Sequence, residues 1–527
     1  MSYRVVWFKR DLRVQDHWPL LEAARRGPTL CLYVVEPGLW AQPDAAAQHY
    51  GFVRESLQAL DAQLRALGGR LHVAVGDVVD VLGALHATAP FEALHAHEET
   101  GNAHTYARDL AVGHWCRAHG VAWHEWPQFG VVRRLRDRRD WQPHWERHMA
   151  ALQAPTPATV QSPVLAADAP VWSWASRPLP AAATLGLDPF EPPRRQRGGH
   201  PHAEAVLHDF LHERSARYRG GISSPLSAPD ACSRLSAYLA YGNLSLREVV
   251  QATRAQLATL TPQAKRQRLG LQGFVSRLYW HCHFIQKLES EPELEWRNLH
   301  RGYDGLREAD WNPAHFEALT QGRTGWPMVD ACVAMLRETG WLNFRMRAML
   351  VSVAAYPLWL HWHPVGHWLA RQFLDYEPGI HWPQMQMQSG TTGINTTRVY
   401  NPVKQAIDHD PQGRFVRQWL PAMRHVPDSW LFEPWRMSVD VQARCGVHVG
   451  QNIAVPPVEL MDALREAKTR LHALRRQPAV RAAKAAVVQR HGSRRGMPGA
   501  SRDARGEERP PQRRPASPPA HQMTLDF

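Results

Sequence analysis

The stretch GRTGWPMVDACVAMLRETGWLNFRMRAM (322–349), continuing through QFLDYEPGIHW (372–382) to RVYNPVKQAIDHDPQGRFVRQW (398–419), decides how this chain is read. Val329, Val333 and Leu336, then Trp341, Met346, Met349 and Val353, recur at three- and four-residue intervals. That spacing predicts consecutive helices that each bury one face. Asn343, Arg345 and Arg347 therefore fall inside or beside a packed helix. A buried guanidinium needs a partner, because leaving it unpaired costs several kcal/mol. Asp375, which follows a second helical run through Trp359, Trp362, Leu369 and Phe373, is the candidate partner.

Working outward, the N-terminal part follows a different rhythm. Short apolar runs at Val5 to Phe8, Leu30 to Val35, Leu71 to Val75, Ala93 to His95 and Val121 to Trp123 alternate with helical stretches such as His49 to Leu67 and Ala103 to Ala118. This alternation predicts a parallel sheet with crossover helices, a doubly wound α/β domain. It contains no GxGxxG, so an ordinary dinucleotide fingerprint is not offered. The organisation read from the chain is an α/β domain over 1–130, a connector over 131–200, an all-helical domain over 201–475 and a basic tail over 476–527. The connector is rich in proline and alanine between Ala154 and His200 and is expected to drape over the surface. The tail from Arg494 is rich in Pro, Arg, Gly and Ser and is expected to be disordered.

A chain of 527 residues has room for two or three domains with large cores. Its 44% hydrophobic content and 22 tryptophans predict a globular protein with an aromatic interior. No apolar run approaches the roughly 18 residues of a membrane span, and the charged segment Met1 to Asp16 reads as strand and loop rather than signal peptide. A cytoplasmic protein is expected, and a monomer. Cys31, Cys116, Cys232, Cys282, Cys332 and Cys445 are scattered without CxxC or paired histidines, which predicts free thiols and no metal site. The net charge of +13 suggests a polyanionic partner, although much of that basicity lies beyond Arg475.

Two further segments carry chemistry. In YRGGISSPLSAPDACSRLSAYLAYGNLSLREV (218–249), Cys232, Ser233 and Ser236 lie where a loop enters a helix expected to begin near Arg234. Free backbone N–H groups at such a place attract phosphate oxygens, while a serine pair before a helix also serves as a simple N-cap. The other segment is the opening RVVWFKRDLRVQDH (4–17).

Together these segments resemble the photolyase/cryptochrome family. The resemblance implies FAD held among helices, with Tyr218, Cys232, Ser233, Leu235, Ser236 and Arg277 around its phosphates and adenosine and with Arg347, Asp375 and Glu377 at the isoalloxazine ring. It implies light-driven repair, in which photoexcited reduced FAD passes an electron to a flipped-out pyrimidine dimer in UV-damaged DNA. The same flavin site serves blue-light signalling in cryptochromes, so that alternative stays open. Arg345 and Arg398 match positions that contact the DNA backbone, or are surface arginines. The α/β domain of this family often holds an antenna, a folate or a deazaflavin. Here HEETGNAHTYARD (97–109) aligns with the folate-contacting segment, with Asn102 where a glutamate is expected. The single late cysteine, Cys445, argues against the iron–sulfur branch.

Departures from the family pattern cluster around the flavin. Gly273 and Ser276 stand where many photolyases have a Glu and a Trp against the dimer, Met387 replaces a second Trp, Ala348 a Met, and Asn343 and Phe344 lie near a site of paired histidines. His381 falls where an Asn or Asp faces the flavin's central ring, or it packs there as core, and as a histidine it is expected to be neutral or charged near physiological pH. Of the family's tryptophan relay, Trp362 matches the middle member, the proximal position aligns with Met385 and the distal with Ala309. Trp382 and Trp311 are nearby substitutes, against a background of tryptophans that simply pack. The last residues, Gln522 to Phe527, resemble the peptide by which bacterial repair proteins dock on the sliding clamp, with Leu525 and Phe527 as apolar anchors and Gln522 as a hydrogen-bonding group.

Overall fold

Arg4–Phe8 forms β1 and pairs in parallel with both β2 (Thr29–Val35) and β4 (Ala93–His97) in a computed structural model that describes residues 2–165, 168–394 and 399–491. With β3 (Leu71–Val75), β5 (Ala122–Trp126) and β6 (Trp172–Ser173) the sheet order is β5-β4-β1-β2-β3-β6. The first five strands are parallel. Their crossovers are α1 (Trp18–Arg26), α2 (Ala47–Ala66), α3 (Val78–Thr88) and α4 (Ala103–Ala118). Every residue of β2 is buried, as expected where helices cover both faces of a parallel sheet. The doubly wound domain is thus as the alternation implied.

The segment 131–200 is more structured than its composition suggested. It contains α5 (Trp141–Ala150), whose Trp141 and Trp145 bury their rings against Tyr279 at 4.9 and 5.2 Å, and it returns β6 antiparallel to β3. A two-residue strand carries no periodicity to read, and proline-rich flanks mask it.

Helices follow: α6 (His200–Asp209), α7 (Ser236–Ala240), α8 (Leu246–Thr259), α9 (Lys265–Ser290), α10 (Pro327–Thr339), α11 (Phe344–Ala355), α12 (Trp362–Gln372), α13 (Pro378–Ser389), α14 (Pro402–His409) and α15 (Leu460–Arg476). Beyond the expected boundary at 475, α16 (Pro478–His491) is also helical; Val480 is buried and its carbonyl accepts from His300 Nε2 at 2.9 Å. Alanine, the best helix former, supplies the propensity there, which a count of basic residues obscures.

The loop after β1 joins the two domains. Asp11 Oδ2 accepts from His17 Nε2 at 2.9 Å and from His97 Nδ1 at 2.8 Å, which fixes the loop to the sheet. His17 Nδ1 accepts from the Leu20 N–H, so its proton sits on Nε2 and the trio is a hydrogen-bonded cluster rather than a set of open metal ligands. Arg13 donates to the Gly242 carbonyl at 3.1 Å, and Asp16 pairs with Arg247 at 2.7 Å. Gly242, at φ 67°, lies so close that a Cβ would stand 2.2 Å from the Arg10 carbonyl oxygen. Only glycine meets both demands.

Candidate functional site

The helical domain encloses a cavity of about 310 Å³. Its wall brings together residues far apart in sequence: Tyr218, Cys232, Ser233, Leu235 and Ser236; Arg277 from α9; Arg347 from α11; and Asp375, Glu377 and His381. Every cofactor contact expected from the sequence within the described residues therefore lines one space.

Arg347 meets Asp375 side-on, Nη1 to Oδ1 and Nη2 to Oδ2, both at 2.9 Å. Its Nε donates to the Leu342 carbonyl at 2.6 Å and its guanidinium lies 4.2 Å over the Phe373 ring, so the fork is held on three sides. Burial works against the Asp375 carboxylate, but Arg347, with the Ser236 hydroxyl and Arg234, holds its pKa below the ordinary value. Glu377 is drawn into a second pair by Arg10, whose Nη2 lies 3.1 Å from Oε2 and also donates to the Tyr376 carbonyl at 3.0 Å. The N-terminal domain thus reaches the cavity wall, and Arg10 is one of the side chains through which it does so.

The turn Cys232–Ser236 differs from expectation in one respect. Arg234 adopts φ 63°, the left-handed conformation, and α7 begins only at Ser236 and runs to Ala240. So short a helix has little dipole to offer; the cations of the wall matter more. The Arg234 guanidinium stacks 3.9 Å over the Trp341 ring, and burial lowers its pKa to about 10. Among the described residues it has no carboxylate in an ion pair. The turn itself is clamped from behind by Arg214, which donates to the carbonyls of Cys232 and Ser233 and pairs with Asp209. Arg214 closes a π-helical turn, Phe210–Arg214, and such bulges recur at functional sites. Sequence reading missed Arg214 and Arg234 as site residues, because neither the bulge nor the left-handed turn has a periodic signature.

His381 lines the cavity with its Nε2–H donated to the Gly366 carbonyl at 2.9 Å. Burial pushes its pKa down to about 4, so it is neutral near physiological pH, which removes the charged form the sequence had left open. Behind it, Trp382 and Trp362 are fully buried with centroids 5.9 Å apart, edge to face. Gly366 permits this: a Cβ there would stand 2.5 Å from the Trp382 ring. Neither tryptophan lines the cavity, whereas Met385 does. Trp362 donates to Asn298 Oδ1 at 2.8 Å, and Trp311 packs with Phe316 at 5.1 Å. Arg345 occupies the first turn of α11, beside His409. Arg398, Gln522, Leu525 and Phe527 lie outside the described residues.

A smaller cavity, about 100 Å³, sits at the ends of β1 and β2. It is crowded by Arg108, which bonds Glu36 at 2.9 Å, Glu99 at 2.5 Å and Asp109 at 2.9 Å, while Lys9 holds Asp109 at 3.0 Å. Asn102 caps α4 through Thr105 N–H at 3.1 Å and donates to Asp44 at 3.2 Å. The volume falls short of the roughly 300 Å³ at which pockets enclose a drug-sized molecule. The larger cavity meets it. Its cationic wall, where the Arg234 guanidinium forms no ion pair among the described residues, suits a ligand that carries phosphates next to an aromatic ring system.

Residues 274–473 match the FAD binding domain of DNA photolyase, and residues 4–133 match DNA photolyase. Together the two matches span more than half of the chain. The chain is 29% identical over 482 residues to cryptochrome DASH of Gloeobacter violaceus, covering 86% of this chain and 93% of that protein. It is 28% identical to the deoxyribodipyrimidine photo-lyase of Vibrio cholerae over 82% of this chain and 93% of that one. Cryptochrome-2 of Arabidopsis thaliana is 26% identical over 88% and 77%. In fold, the chain superposes on a bacterial class III photolyase from Agrobacterium tumefaciens with a TM-score of 0.77 at 23% identity, covering 90% and 98%. An archaeal photolyase from Sulfolobus tokodaii, solved with two FAD molecules, gives 0.71 at 22% identity, covering 90% and 100%. The doubly wound domain, the helical domain around the Arg347–Asp375 cavity and these matches agree: the chain belongs to the photolyase/cryptochrome family.

Proposed function

We propose that this chain is a light-driven DNA photolyase that binds FAD in the larger cavity and acts on a flipped-out, UV-induced pyrimidine dimer. The observation that carries the reading is the side-on Arg347–Asp375 pair on the same wall as the turn Cys232–Ser236 and its Arg234. When bound, FAD supplies the photoexcited electron that splits the dimer and takes it back, with no net redox change.

The chain's own residues bind and orient. Tyr218, Cys232, Ser233, Leu235, Ser236 and Arg277 take the phosphates and adenosine, with Arg234 as a further cation and Arg214 fixing the turn from behind. Arg347 and Asp375 brace the ring, and Glu377 is held against that region by Arg10. His381, its Nε2 proton committed to Gly366, presents a Nδ1 lone pair. Trp382 and Trp362, behind the wall, form a path that carries an electron inward to it. Arg345 and Arg398 hold the DNA backbone while a base pair opens, a step costing a few kcal/mol and less at a lesion. The Gln522 to Phe527 peptide adds docking on a bacterial sliding clamp. A second chromophore, a folate or a deazaflavin, would belong to the N-terminal domain, beside the smaller cavity.

The replacements Gly273, Ser276 and Met387, together with relatives of both kinds, favour blue-light signalling as the second reading. Purified, reduced protein given DNA with cyclobutane dimers, or separately with (6-4) photoproducts, decides between them under blue light. Repair of either lesion supports a photolyase; flavin photochemistry without repair of either supports the photoreceptor.

A further inference from the structure

Tyr376 stands between Asp375 and Glu377 and lines both cavities, so it forms part of the wall between them. Its ring meets the edge of His381 at a centroid distance of 5.2 Å and stacks with His49 at 6.2 Å. Its hydroxyl donates to Asp44 Oδ2 at 2.6 Å, a length typical of a bond to an ionised acceptor. Asp44 is only 5% exposed and comes from the N-terminal domain; Asn102 donates to the same oxygen. Among the described residues no lysine or arginine forms an ion pair with Asp44, so this carboxylate is free to take a proton without breaking a salt bridge. Burial, with Asp44 and Glu295 adding to it, pushes the Tyr376 phenol well above its ordinary pKa, so the hydroxyl is intact at rest. Oxidising a buried phenol without moving its proton would strand a cation, whereas this bond gives the proton a destination.

We propose that Tyr376 is a proton-coupled electron donor to a photoexcited, oxidised flavin in the larger cavity, with Asp44 as the acceptor of its phenolic proton. This rests on the flavin reading above. One electron leaves the tyrosine ring for the flavin, the phenolic O–H bond breaks, and a new O–H bond forms on Asp44. A neutral tyrosyl radical remains, and an external one-electron reductant returns the electron while Asp44 returns the proton. The placement favours Tyr376 over Trp382 and Trp362 as first donor, because those two stand behind the wall and Tyr376 is in it.

The test uses the full chain with its flavin oxidised, excited by a blue flash and followed by time-resolved absorption and electron paramagnetic resonance. A neutral tyrosyl radical is expected in the unmodified protein and none in Tyr376→Phe. In Asp44→Asn its yield should fall about tenfold, as loss of one charge-assisted hydrogen bond implies, and heavy water should slow its formation. Circular dichroism and flavin stoichiometry of both variants establish that the fold and cofactor are retained. A tryptophanyl radical alone, unaltered in Tyr376→Phe, overturns the proposal while leaving the flavin reading intact. A chain that binds no flavin, or whose flavin does not respond to light, overturns both.

Discussion

Arg347 and Asp375 place two half-buried charges against one ligand space, so removing either leaves the other uncompensated. Truncating Arg347 to Ala should destabilise the fold by about 1–3 kcal/mol, as loss of a half-buried charge-assisted pair implies, and should strip flavin from the purified protein. Urea unfolding and the visible absorbance of the preparation measure the two effects; an equally yellow, equally stable variant contradicts the assignment. His381→Asn replaces the imidazole of the cavity wall and is expected to alter the recovery of the flavin spectrum after a flash. An unchanged transient spectrum would show that His381 only packs. At this scale the sequence was legible wherever a residue's partner lay in a readable motif, as for Arg347 and Asp375. Tyr376 was overlooked because its partner, Asp44, is contributed by another domain, and no spacing rule connects them.

At the scale of the element, α12 and α13 owe their close approach to Gly366. Gly366→Ala would drive a Cβ to 2.5 Å from the Trp382 ring, and overpacking of this kind costs roughly 1–3 kcal/mol. A lowered denaturation midpoint is expected, with slower photoreduction as Trp382 turns away from Trp362. Trp362→Phe should slow photoreduction without lowering flavin content; a rate equal to the parent's places the electron path elsewhere. The turn held by Arg214 is a further element: Arg214→Ala frees the Cys232 and Ser233 carbonyls and should weaken FAD binding about tenfold, equivalent to one lost charge-assisted bond. Strands and helices with strong periodicity were readable in sequence to within a few residues; α4 spans the expected Ala103 to Ala118. The π-helical turn, β6 and the late start of α7 were not, since each depends on tertiary contacts rather than on pattern.

Across the whole molecule the many buried histidines set an acid limit. Burial lowers His49, His281, His363 and His381 to about 4 and His95 and His97 to about 3, so the unfolded chain binds more protons than the folded one up to about pH 6.5. Their contribution is complete above that pH and is lost as pH falls through the folded values. Glu36, Glu248, Glu289 and Glu295, raised by burial to about 7, act in the opposite direction between about pH 4.5 and 7. The histidines are more numerous, so Tm should climb between about pH 4.5 and 6.5 and then level; a profile that falls over this window contradicts the burial. The two-domain architecture followed from alternation in one half and helical periodicity in the other, but their union through the loop Lys9–His17 did not, because it joins residues hundreds of positions apart. The central claim is that this union shapes one FAD cavity framed by Arg347 and Asp375. Titration of the flavin-stripped chain with FAD, in parallel with Asp375→Ala, tests it most directly. Saturable binding of one FAD per chain, weakened at least about tenfold in the variant, is predicted; no binding, or equal affinity in the two proteins, would contradict it.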